Sequence, residues 1–177
     1  MSRLYFIDGY NVIHHCPTLG ALARRDFEAA REALFDLVSR YCACSGSRAL
    51  LVFDGRGRHR EPASSSGEVS GAEVVYSPAH QSADALIERM VYDARTQPGD
   101  RIVVSGDRAV RELCRMLGAI VIGPGNFLGL MHDVQGRIRR DCQALVNRPA
   151  RYTIEDRLSE KSMRRLTAIR RGLDHTQ

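Results

Sequence analysis

Apolar residues recur along this chain with two different periods, and the switches between them predict its elements. Leu4, Tyr5, Phe6 and Ile7 form a short run of strand formers that ends at Asp8. Gly9 then lets the backbone turn before Asn11. Residues 18–23 read as a loop. Over 24–42, Phe27, Ala30, Leu34, Leu37, Val38 and Tyr41 return every three or four positions, which lays one apolar stripe along a packing helix. A second strand over 49–53 delivers Asp54 and Gly55. Residues 55–71 carry no period and are rich in Gly and Ser, with Arg56, Arg58 and Arg60 at their root, so they read as a long binding loop. A strand over 72–76 is broken by Ser77 and Pro78. Ser82 is placed to cap the next helix, in which Leu86, Ile87, Met90 and Val91 turn to the sheet and Asp84 and Glu88 share another face. A strand over 101–105 leads through Gly106 to Asp107, which stands where the N-cap of a helix over 108–117 belongs. A last strand at 119–122, a turn cluster at 123–126, a helix over 128–146 and a final helix over 153–171 complete the pattern.

Strands alternating with helices predict an α/β domain with a largely parallel sheet. The 177 residues suit one such domain over 1–150, followed by a basic helical extension over 151–177. Ligands of open α/β sheets bind outside the carboxyl ends of the strands. Three strands of this chain deliver an aspartate to that edge.

Charge sharpens the picture. The net charge is +5, yet residues from 137 onward hold 11 basic and 5 acidic side chains, so the tail carries the whole surplus. Every basic residue except Lys161 is arginine, whose planar fork suits phosphate. The apolar runs are strand-sized and the N-terminus lacks a signal-peptide pattern, so no membrane contact and a cytoplasmic location are expected. Five cysteines without a CxxC pair argue against a disulfide framework and a zinc knuckle. Neither Cys42 with Cys44 nor His14, His15 and Cys16 supplies a familiar four-ligand spacing. No GxGxxG or P-loop is present, which removes support for a dinucleotide or ATP site.

Singly, the aspartates have plain roles: Asp84 complements a helix dipole, Asp107 caps a helix, and Asn11 could close an Asx turn. Together, Asp8, Asp54 and Asp107 at strand ends and Asp84 at a helix start share one rim. Two carboxylates about 4 Å apart repel by roughly 4 kcal/mol at an effective dielectric near 20. Such a cluster needs a cation or shared protons. All-oxygen ligation suits Mg²⁺ or Mn²⁺, which support phosphodiester cleavage. Asn11 would orient a water or the phosphate, and Arg56, Arg58, Arg60 and Arg108 would contact the nucleic-acid backbone. A haloacid-dehalogenase-type phosphatase would need a second acid two residues after Asp8, where Tyr10 stands.

The run Ile7-Asp8-Gly9-Tyr10-Asn11, with Val52-Phe53-Asp54, Ser82-Ala83-Asp84, Ile87-Glu88 and Val103-Val104-Ser105-Gly106-Asp107-Arg108, resembles the NYN domain in its YacP-like branch, within the PIN-like nucleases. The resemblance spans essentially the whole chain. It implies a Rossmann-like three-layer α/β/α sandwich and a metal-dependent endoribonuclease that acts on single-stranded RNA. It further implies mRNA as substrate and the ribosome as a partner. By position, Asp8, Asp84 and Asp107 correspond to the family's metal-binding acids, with Asn11 and Asp54 beside them. Gly106 departs from the pattern, which leads one to expect a hydroxyl residue there. The alternative is an RNA- or ribosome-binding module of the same fold that cuts nothing.

Overall fold

The computed structural model describes residues 3–55, 71–78 and 80–146. Five strands, β1 (Arg3–Asp8), β2 (Arg48–Phe53), β3 (Ala72–Tyr76), β4 (Asp100–Val104) and β5 (Ile120–Ile122), form one parallel sheet in the order β3-β2-β1-β4-β5. The helices are α1 (Gly9–His15), α2 (Pro17–Ala23), α3 (Phe27–Ser45), α4 (Ala83–Asp93), α5 (Arg108–Met116) and α6 (Pro124–Val146).

Strand alternation divides the core into two layers. Tyr5 and Ile7 of β1, with Leu51 and Phe53 of β2, pack against buried residues of α1, α2, α3 and α6. Phe6, Val52 and Val103 point the other way and meet Ile87 and Val91 of α4 and Val110 and Cys114 of α5. The result is the expected three-layer α/β/α sandwich. From β1 the chain reaches β2 over one face, and from β3 it crosses to β4 over the opposite face while travelling the other way along the sheet. Reversing direction and face together preserves the crossover hand. The strand order therefore reverses between β1 and β4, and in open sheets ligands bind outside the carboxyl ends at such a switch point.

Three expectations are corrected. Residues 18–23 are not a loop; they belong to α2, which Pro17 opens with its preset φ and which buries Leu19. So short a segment, with one fully buried side chain, shows no period in sequence. The turn expected at 123–126 is instead the first turn of α6, again with proline at the start, and its helix seats Phe127 and Met131 in the core. The long helix α3 begins at Phe27 rather than at 24, because the Asp26 side chain accepts from Ala29 N–H and fixes the start.

The chain divides into two compact units, Met1–Arg137 and Ile138–Gln177, and the site described below lies within the first. The expected extension over 151–177 and the loop arginines Arg56, Arg58 and Arg60 lie outside the described residues. Among those described, no helix is long and apolar enough to cross a membrane.

Candidate active site

Asp8 ends β1 and at the same time caps α1, where its Oδ1 accepts from the backbone N–H of Asn11 at 3.0 Å. Its carboxyl is only 7% exposed. That burial pushes its pKa up, and the charge of Asp84 adds to the effect. Hydrogen bonds from the Asn11 backbone, the Asn11 side chain and Ser105 pull the other way. A carboxylate only accepts, so the Asn11 amide turns its Nδ2 to Asp8. Its Oδ1 is then left buried without a donor.

Gly106 makes this arrangement possible. A Cβ there would lie 2.6 Å from Asn11 Oδ1 and 3.2 Å from His15 Cε1, so the hydroxyl residue that the resemblance leads one to expect has no room. His15, one turn after Asn11 on α1, donates from Nδ1 to the Asn11 carbonyl at 2.8 Å, because a carbonyl cannot donate.

Ser105 was not singled out from sequence, although it lies in the segment that carries the resemblance. It is wholly buried at the end of β4, accepts from Asp107 N–H at 3.1 Å and hydrogen-bonds Asp8. One hydroxyl thus ties the loop after β4 to the acid after β1. The signal was present as a small polar residue at the end of an apolar strand, where burial is expected.

Asp107 caps α5 by accepting from Ala109 N–H at 2.8 Å and Val110 N–H at 3.1 Å, as its position suggested. Asp84 sits in the first turn of α4, which Ser82 caps through Ala85 N–H at 3.2 Å. Burial raises the Asp84 carboxyl, and the charges of Asp107 and Asp54 raise it further. Asp54 is held after β2 by Ser77, whose hydroxyl donates to it at 3.4 Å and accepts from Gly55 N–H at 3.1 Å. Ser77, read in the sequence only as part of a strand break, is therefore a second hydroxyl anchor.

All four aspartates stand on the carboxyl rim, and Asp84 is the one that senses the other three. They do not crowd together: among the described residues no three His, Cys, Asp or Glu side chains come close enough to hold a metal ion as they stand. Asp8, with the unpartnered Asn11 oxygen beside it, is the innermost of the set. This oxygen-only donor set fits a hard, hydrated cation such as Mg²⁺, which keeps several waters and takes one or two carboxylates. The soft-metal reading of the cysteines gains nothing, since Cys16, Cys42 and Cys114 are buried, and burial pushes the Cys42 and Cys114 thiols up to about 11.

Arg108 opens α5 beside Asp107 with its side chain 91% exposed and pairs with Glu112 on the next turn at 3.0 Å. It is available to an anionic ligand at small cost.

Comparison with known proteins agrees with the fold. A family profile described as the YacP-like NYN domain matches residues 5–171. The chain is 24% identical over 172 residues to "Uncharacterized protein YacP" of Bacillus subtilis (strain 168), covering 96% of this chain and 97% of that one. The crystal structure of Rae1 (YacP) from Bacillus subtilis matches with a TM-score of 0.70 at 24% identity, over 98% of both chains. A single-substitution variant of that protein matches with the same TM-score over 82% of this chain and 84% of its own. The motif around Asp8, the three-layer fold and the match over almost the whole length agree: the chain belongs to the YacP-like NYN domain family, a nuclease-like, RNA-related class within the PIN-like fold.

Proposed function

We propose that this protein is a metal-dependent endoribonuclease that cleaves single-stranded RNA at the carboxyl ends of β1 and β4. The observation that carries the reading is the pairing of Asp8, buried and with its pKa raised by that burial, with the unpartnered Oδ1 of Asn11 on the same rim as Asp84 and Asp107. A buried carboxyl raised by desolvation, and by the charge of a neighbouring acid, marks a place where a cation would compensate.

Asp8, Asp84 and Asp107 would hold Mg²⁺ or Mn²⁺. When bound, such an ion lowers the pKa of a ligand water and stabilises the leaving oxygen. The chain's own groups do the rest. Asn11 Nδ2 fixes the Asp8 carboxylate, and Asn11 Oδ1 accepts a hydrogen bond from a water and so orients it. Ser105 locks Asp8 to the Asp107 loop, and Asp54 adds negative charge at the rim. Arg108, with Arg56, Arg58 and Arg60 in the segment that follows Gly55 in sequence, contacts the RNA backbone, which gives affinity with little sequence information. Selection of a particular site then falls to a larger assembly. In the cell the substrate is mRNA in the cytoplasm and the assembly is the ribosome, as the family resemblance implies.

A second reading has one observation in its favour. The carboxylates are more widely spaced than a tight ligand cage, as befits an RNA- or ribosome-binding module of this fold that cuts nothing.

The test uses the purified full chain on single-stranded RNA, naked and on translating ribosomes, with Mn²⁺ or with EDTA, beside Asp8→Asn and Asp84→Asn. Cleavage that needs the ion and disappears in both variants is expected. Mn²⁺ at about a hundred times its dissociation constant should also stabilise the wild type by roughly 2.7 kcal/mol, and either variant far less. Cleavage indifferent to EDTA and to both substitutions refutes the enzyme reading. RNA binding with no cleavage on either substrate favours the module.

A further inference from the structure

Beside the carboxylates the same rim carries an aromatic surface that the chemistry above does not use. Tyr10 follows Asp8 by two residues, and Tyr76 closes β3. Phe27 opens α3, whose other end leads directly into β2, so Phe27 also stands at the carboxyl edge. The Tyr10 and Phe27 rings lie 4.9 Å apart and within 19° of parallel. Arg31, one turn into α3, places its guanidinium carbon 5.4 Å from the Tyr76 ring centre, 5.8 Å from that of Phe53 and 5.9 Å from that of Phe27. Its Nη1 donates to the Tyr76 hydroxyl at 2.8 Å and its Nη2 pairs with Glu28, while its Nε is buried without an acceptor.

Core packing explains Phe53, which is fully buried. Tyr10, Phe27 and Tyr76 pack against the same core yet stay partly open, and a cation is layered among them with only 14% of its side chain exposed. The rings are not coplanar, since Tyr10 stacks on Phe27 and stands edge-on to Phe53 while Tyr76 is tilted against Phe53, but a cluster of partly open rings backed by a guanidinium offers a ring face to a nucleobase. Stacking on aromatic rings is tolerant of base identity, and a nearby arginine adds cation–π attraction. Bases are free to stack this way in single strands, whereas a duplex keeps them in its own pile.

We infer that Tyr10, Phe27 and Tyr76, braced by Arg31, form a stacking subsite for one unpaired nucleobase of the RNA, next to the phosphate that the carboxylates face. The inference rests on the proposed RNA substrate and adds how the protein recognises a single strand without reading its sequence. Arg31 is a positioning residue: it holds the rings at their angle and spreads positive charge beneath them.

The test measures binding rather than turnover, so that it stands apart from catalysis. Single-stranded oligoribonucleotides carrying 2-aminopurine at successive positions are titrated with the full chain in EDTA. An abasic residue is then scanned along the same strand. One position should show fluorescence quenching by stacking, and Tyr10→Leu or Tyr76→Leu should weaken binding about five- to hundredfold. Tyr10→Phe keeps the ring and should restore the affinity. An abasic residue at the quenched position should cost the wild type a similar factor and cost Tyr10→Leu little more. Thermal melts establish that each variant is folded, and the abasic scan on the wild type needs no variant at all.

Equal affinity for abasic and intact strands at every position, unchanged binding by both leucine variants, or no RNA binding overturns the inference. Cleavage without this coupling overturns the subsite alone. Coupling in EDTA together with no cleavage in the Mn²⁺ assay on either substrate supports the subsite and sinks the enzyme reading.

Discussion

Replacing Gly9 with alanine tests the junction between fold and site. A Cβ at this position would lie 2.3 Å from Phe53 Cε1, 2.4 Å from Cζ and 2.8 Å from Cδ1. The ring would have to retreat by about 1 Å to reach ordinary contact, which counts as overpacking of a closed core. Room is short, because Phe53 is fully buried and boxed in by the Tyr10 ring at 5.5 Å, the Tyr76 ring at 6.2 Å and the Arg31 guanidinium at 5.8 Å. Overpacking costs about 1–3 kcal/mol, and the better helix propensity of alanine returns up to about 1 kcal/mol. Gly9→Ala should therefore lose about 1–2 kcal/mol, or about 2–8 °C in melting midpoint for a chain of this length. Chemical denaturation of a double-mutant cycle isolates the cause, since Phe53→Val removes all three clashing atoms. In that background Gly9→Ala should become neutral or stabilising, a coupling of about 1–2 kcal/mol. A Gly9→Ala protein as stable as the wild type, or an equal loss in both backgrounds, would show that the ring is not what excludes a side chain here.

Asp84 carries a carboxyl raised by burial and by its acidic neighbours, so its stabilising contribution is complete below the ordinary value of 3.8 and is lost as pH rises through its folded pKa. In EDTA, Asp84→Asn should melt higher than the wild type at pH 7, the two midpoints converging in acid; a lower midpoint at pH 7 contradicts the electrostatic reading. Ser105→Ala removes the hydroxyl shared by Asp107 N–H and Asp8 and should cost about 1–3 kcal/mol in denaturant titrations, with weaker Mn²⁺ binding by calorimetry; unchanged values for both would mean that the tie is idle. Arg108→Ala alters an exposed side chain, so stability should hold within about 0.5 kcal/mol while the salt dependence of RNA binding falls by about one unit of slope. An unaltered slope removes Arg108 from the RNA path.

Much of this protein could be read before its structure. The apolar runs ending at Asp8 and Asp54 gave strands, since a buried parallel sheet demands continuous apolar segments. The period through Ala30, Leu34, Val38 and Tyr41 gave the helix that buries those same residues. Ser82 and Asp107 cap the helices they were placed to cap, because capping is a local hydrogen bond.

What escaped was set by contacts distant in sequence. The helix α2 follows a proline and buries Leu19 but has no stripe of its own, and α6 starts inside a cluster of residues whose local preference is to turn. Among the site residues, the sequence named the acids but not what holds them. Ser105 reaches Asp8 only because β4 lies beside β1, and Ser77 reaches Asp54 only because β3 lies beside β2. Likewise Gly106 looked like a departure from pattern until folding set it against Asn11 and His15. Periodicity and capping act over a few residues and are written along the chain. Strand order, and with it the meeting of acids, hydroxyls and rings on one rim, comes from packing two layers of helices on one sheet.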